Sequence, residues 1–147
     1  MKDKRGISPV ITTVIIVAVG IAIAIAVALW MSGLVGIFTR FEKIEIRNAY
    51  ATKPSAFLVK ITFINTGSAD TTIDSVLVNG RLYNEWTGTS INQTLPLAVP
   101  IGVLKGLEVS IPDGAKSGSS TLVSGVTVNV ALHTTGGKEY SAAVTLP

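Results

Sequence analysis

ISPVITTVIIVAVGIAIAIAVALWMSGLVGIF, residues Ile7 to Phe38, is an uncharged and almost wholly apolar run of 32 residues. About 20 such residues cross a bilayer as a helix. At about 1.5 Å per residue a continuous helix of this length reaches roughly 48 Å, against a hydrocarbon core of about 30 Å. The excess must tilt, project, or serve another purpose. Between Val17 and Leu29 large and small side chains alternate, a period that by itself reads as a strand. A lone strand in lipid would leave its backbone groups unpaired, so the helix is the expected form. Ser8 is placed to cap it and Pro9 fits its first turn. On a helix the alternation resolves into two small-residue ridges. Ala18, Ala22 and Ala26 form one, and Gly20, Ala24 and Ala28 the other. Positions two apart differ by roughly 200°, so the ridges lie on nearly opposite sides. Small ridges let helix backbones approach closely. A simple anchor needs one such face at most, whereas a helix surrounded by copies of itself benefits from two. Thr12 and Thr13 can bond back to carbonyls a turn earlier, and Trp30 stands where an interfacial aromatic is expected.

Outward from this run the chain changes character on both sides. On the amino side, Lys2, Lys4 and Arg5 against Asp3 give +2 of the total net charge of +3. Basic residues beside an apolar span stay on the cytoplasmic side. The remaining chain is near neutral, with no basic patch interleaved with aromatics, so no nucleic-acid binding is expected. There is no cysteine, which excludes disulfides and thiolate metal sites, and His133 is the single histidine.

Three readings of the amino end compete. A secretory signal peptide cut after Ala24 or Ala28 would match an A-x-A pattern, but the apolar run continues well past either site. A permanent anchor with a short cytoplasmic tail is the second. In the third, only Met1 to Gly6 are removed and the apolar run begins the mature protein. Here Lys4-Arg5-Gly6 followed by Ile7-Ser8-Pro9-Val10-Ile11 resembles the class III signal peptide of archaeal type IV pilins. The resemblance implies cleavage between Gly6 and Ile7 by a prepilin peptidase, and an N-terminal helix drawn from the membrane into a filament by the pilus assembly machinery. Bacterial relatives of that family carry a glutamate at the fifth mature position, where this chain has Ile11. The resemblance covers about the first forty residues by motif and the rest in architecture alone.

On the carboxyl side, charge returns at Arg40 and the pattern becomes that of short strands. Expected strands are Lys43–Tyr50, Phe57–Asn65, Thr72–Val78, Arg81–Trp86, Val103–Ile111, Thr121–His133 and Lys138–Leu146. Asn79-Gly80 is the strongest turn signal. Gly88–Pro100 reads as a loop and Ala115–Ser120 as a turn region. The expected fold is α+β in segregated form. Residues 1–6 are a leader, 7–41 an apolar assembly or transmembrane helix, and 42–147 an Ig-like all-β sandwich head. The cysteine and tryptophan core of antibody-type domains is missing from the pattern.

The head offers no catalytic constellation. Glu42, Glu45, Asp70, Asp74, Glu85, Glu108, Asp113 and Glu139 are scattered and read as solvated. His133 reads as a surface or turn residue. No catalytic residue, metal ligand or cofactor is expected, and no enzymatic activity. Asn92-Gln93-Thr94 is a single N-x-[ST] sequon in the longest loop, which makes Asn92 a glycosylation candidate. The expected function is that of a structural subunit of an extracellular, adhesion-type pilus, a helical polymer of identical subunits at the cell surface that resides in the membrane before assembly. A monomeric anchored β-domain and a swimming-filament subunit are the alternatives.

Overall fold

The computed structural model describes residues 7–34, 36 and 40–147. It has two parts: an apolar N-terminal helix, and a β-rich head that begins at Phe41. The helix, α1, covers Ile7–Met31. It is shorter than the apolar run. Gly33 breaks the ladder with φ of 73°, a conformation glycine adopts without a Cβ penalty. Helical residues resume at Leu34 and Gly36. Within α1 the hydroxyls behave as the sequence suggests: Thr13 Oγ1 donates to the Val10 carbonyl at 2.8 Å.

The head is built from alternation. β2 (Phe57–Asn65) buries Phe57, Val59, Ile61, Phe63 and Asn65 and turns Leu58, Lys60, Thr62 and Ile64 outward. Two antiparallel sheets share one core. In the first, β1 (Ile44–Thr52) pairs β2, β2 pairs β7 (Leu104–Ile111), and β7 pairs β5 (Ser90–Ile91) at the far edge. In the second, β11 (Glu139–Thr145) pairs β10 (Thr127–Thr134), which pairs β3 (Thr71–Val78). The outer side of β3 takes β4 (Arg81–Leu82) and β6 (Leu97–Val99). β8 (Ala115–Ser117) and β9 (Ser120–Leu122) form a separate small hairpin. The inner faces interdigitate through Phe57, Val59, Ile61, Phe63, Leu107 and Val109 from one sheet and Ile73, Val76, Val128, Val130 and Leu132 from the other. Each such side chain, fully buried, contributes about 1.5–3 kcal/mol. Asn79 and Gly80, with φ of 51° and 76°, make the tight turn between β3 and β4, as a hairpin with two positive φ values requires.

Four expectations change in detail. Arg81–Trp86 is a two-residue strand followed by a 3-10 turn at Tyr83–Glu85. Trp86 does sit in the core, 2% exposed, and its indole N–H donates to the Val78 carbonyl at 3.0 Å. The Gly88–Pro100 loop contains β5 and β6, short edge strands whose pairing comes from tertiary neighbours. The expected Thr121–His133 strand is divided between β9 and β10, with Gly125 at φ of 82° in the gap. The Ala115–Ser120 turn region is itself a hairpin.

Candidate functional site

α1 presents apolar side chains on every side. Val10, Val14, Val17, Ile21, Ile25 and Leu29 are each about half exposed or more, and Trp30 and Met31 reach 73% and 82%. No stripe is more polar than another, unlike a helix that covers a soluble core. A shallow apolar notch beside Ala18, lined by Val14, Val17 and Ile21 with Thr13, marks where the small ridge lowers the helix surface. Ala18, Ala22 and Ala26 lie a turn apart on one side, and Gly20, Ala24 and Ala28 on the other, all within one unbroken helix. A Cβ added at Gly20 would meet nothing within 4 Å. The fold of the single chain therefore has no steric need for glycine there, although glycine in a helix interior costs about 1 kcal/mol relative to alanine. Ile7 is the first residue of α1, while Gly6, its partner in the expected cleavage, lies outside the described residues.

The second notable site lies where the chain joins the head, and sequence reading missed it. Phe41–Lys43 threads between two turns. The Phe41 carbonyl accepts from the Ser68 and Ala69 N–H groups at 2.9 and 3.2 Å. The Lys43 carbonyl accepts from Thr66 N–H at 2.8 Å. Glu42 is half-buried and not a solvated acid: its carboxylate accepts from the Thr71 hydroxyl and, at 2.9 Å, from Thr134 Oγ1. The Glu42 carbonyl accepts from Lys138 Nζ at 3.0 Å and the Tyr140 hydroxyl at 3.2 Å. Two glycines make room. A Cβ at Gly67 would stand 2.5 Å from the Phe41 carbonyl oxygen and 2.7 Å from Lys43 N. A Cβ at Gly136 would overlap the Glu42 carboxylate, at 2.6 Å from its Cδ. The clamp ties the first residues of the head to β3, β10 and β11, so the chain leaves the sandwich at a fixed point. Asn65 completes this end: its Nδ2 donates to the Ala69 and Val99 carbonyls, and its Oδ1 accepts from Gly67 N–H at 2.9 Å.

Titratable groups elsewhere form pairs, not sites. His133 lies near the end of β10, half-buried, and its Nδ1 is 2.6 Å from Asp74 Oδ1. That bond holds the His133 imidazole above its ordinary pKa and the Asp74 carboxyl below its own. Lys60 pairs with Glu108 at 2.9 Å on the outer face of the first sheet. Among the described residues no three His, Asp or Glu side chains gather as metal ligands. Asn92 is exposed at the end of β5. Its backbone N–H donates to the Glu108 carbonyl at 3.1 Å, and its Oδ1 accepts from Glu108 N–H at 2.8 Å.

The chain is therefore of the class that carries, among the described residues, one membrane-length apolar helix ahead of a β-sandwich head. No protein-family model matches it, and no curated protein is similar to it.

Proposed function

We propose that the chain is the structural subunit of an extracellular, type IV-like pilus, polymerising through α1 with the β-sandwich as the outer sheath. The observation that carries this reading is the surface of α1: apolar all round, with small-residue ridges on two sides and a glycine that the fold of its own chain does not require. Lipid would accept such a surface, but it has no use for two close-approach ridges. Identical helices do.

Assembly follows from physical chemistry. In the bilayer, lipid and helix are equally apolar, so exchanging one for the other gains little. Close packing along the ridges and work by the assembly machinery must drive extraction. Outside the membrane, the hydrophobic effect holds the bundle together, since each methylene returned to water costs about 0.8 kcal/mol. The clamp at Glu42 suits a subunit whose head must leave the bundle at the same point in every copy.

The test is purification of sheared surface appendages from the native cells, followed by N-terminal sequencing. Filaments whose subunit begins at Ile7 support both the assembly and the cut between Gly6 and Ile7. Recovery of the protein only from membranes, as a monomer starting at Met1, refutes the proposal and leaves the anchored β-domain. Gly6→Glu should accumulate unprocessed, membrane-bound chain.

A further inference from the structure

The sandwich has one poorly guarded side. Sheet edges present unpaired N–H and C=O groups to any passing strand, and proteins blunt them with charge, proline or bulges. The β1 edge carries Glu45 and Arg47, and its register shifts between Ile46 and Asn48. The opposite side is edged by β4, β5 and β6. β4 carries Arg81, and Pro96 and Pro100 flank β6, but from Trp86 to Leu104 the chain has no charged residue and β7 itself holds no proline. Nor is the edge fully paired. β5 covers only Val109 and Ser110 of β7, so among the described residues Leu104–Leu107 has no strand beyond it. Leu104 is 58% exposed and Ile101 is 50% exposed. The lysine within this stretch, Lys105, bonds its ammonium to the Ala98 carbonyl at 2.6 Å.

Asn92 stands where the cover of β5 ends. Its N–H and Oδ1 are used on the Glu108 backbone, while Nδ2 has no partner among the described residues. Asn92 and Thr94, the two residues a sequon requires, are both exposed. We propose that Asn92 carries an N-linked glycan whose role is to cover this bare edge. The donor is a lipid-phosphate-linked sugar, used by a membrane glycosyltransferase on the outer side. Nδ2 bonds to the anomeric carbon as that carbon's bond to the phosphate oxygen breaks. The lipid phosphate leaves with the bonding electrons, Nδ2 gives up one proton, and nothing is oxidised or reduced. Oδ1 keeps its bond to Glu108, so the sugar is added without loss of the local pairing. The proposal rests on the head lying outside the cell, and it holds for a filament or a lone anchored protein alike.

The experiment is mass spectrometry of the full chain from its native cells, reading the tryptic peptide Leu82–Lys105, with Thr94→Ser and Thr94→Ala variants beside it. The expected result is a glycan mass on Asn92 that persists in Thr94→Ser and vanishes in Thr94→Ala. The Thr94→Ala head, folded normally by circular dichroism, should sediment as aggregate several-fold more than wild type. An unmodified Asn92 in native protein, or a glycan that survives Thr94→Ala, overturns the site. A bare Thr94→Ala head that stays as soluble as wild type overturns the covering role. Electron microscopy of the same cells separates this outcome from the fate of the pilus reading: filaments with unmodified Asn92 sink only the glycan, and modified protein without filaments sinks only the pilus.

Discussion

Gly136→Ala probes the Glu42 clamp without touching the core. The added methyl would overlap the Glu42 carboxylate, whose Cδ lies 2.6 Å from the ideal Cβ position. Gly136 has no positive φ, so the backbone itself tolerates alanine. The carboxylate ends a flexible side chain and can swing away, so the cost is not steric. It is the loss of the charged acceptor for the buried Thr71 and Thr134 hydroxyls, Thr134 Oγ1 keeping the Lys138 carbonyl at 3.3 Å. A hydrogen bond to a charged group contributes about 1.5–3 kcal/mol. Water reaches the half-exposed carboxylate and returns part of that, which leaves about 2–3 kcal/mol in total. For a domain of roughly 100 residues this corresponds to a melting point lower by about 10–20 °C. The assay is denaturant unfolding of residues 41–147, which form a compact unit with their own core. Because one carboxylate mediates the effect, Gly136→Ala should cost little in a Glu42→Ala background. Full additivity of the two substitutions, or a single variant within about 0.5 kcal/mol of wild type, would refute the clamp.

Other outcomes follow from the same structure. Gly67→Ala should cost more than Gly136→Ala, about 3 kcal/mol or above, because the new methyl meets backbone atoms of Phe41 and Lys43 that cannot swing aside; equal or smaller loss in the same unfolding assay would contradict that ranking. Ala22→Leu and Ala24→Leu should each abolish filaments on electron microscopy while leaving head unfolding unchanged, and normal filaments from both would defeat the two-ridge reading. The His133–Asp74 pair predicts a pH window. His133 has a raised folded pKa, so its contribution is full below its ordinary 6.5 and fades as pH rises through the folded value. Asp74 has a depressed one, so its contribution is full above its ordinary 3.8 and fades as pH falls through the folded value. The pair therefore helps most between roughly pH 4 and 6.5, and Asp74→Asn should flatten that part of the stability–pH curve; an unchanged curve would show that the bond does not couple to folding.

What the sequence discloses is the part of the fold governed by local pattern. β2, β3, β7 and β11 stand close to where alternation places them: β2 keeps one face in the core along its whole length, β7 does so from Leu107 to Ile111, and β3 buries Thr71 and Ile73 before shifting phase to Val76 and Val78. Asn79-Gly80 is legible because few residues accept two successive positive φ values. The misreadings share a cause. β5 and β6 are two and three residues long, too short to carry a period, and exist because β7 and β3 offer them an edge. Trp86 reads as the end of a strand yet plugs the core from a 3-10 turn, because its indole finds the Val78 carbonyl. α1 ends at Met31 and helical residues resume at Leu34 and Gly36, since hydropathy is blind to the positive φ at Gly33. The clamp was hidden for the strongest reason. Glu42 meets Thr71 across 29 residues and Thr134 across 92, and an acid near a strand start looks solvated until those partners are placed. Gly67 and Gly136 supply the space the clamp needs, which no local pattern discloses.

The absence of cysteine from the chain permits a direct test of whether α1 is enclosed by identical neighbours. Cysteines are placed together at Ala22 and Ala24, one on each ridge, and surface appendages are sheared from cells, freed of membrane and treated with a flexible bismaleimide. Covalent ladders of two, three and more subunits are the expected result. Material that contains no such protein, or protein that stays monomeric under the cross-linker, would contradict the account.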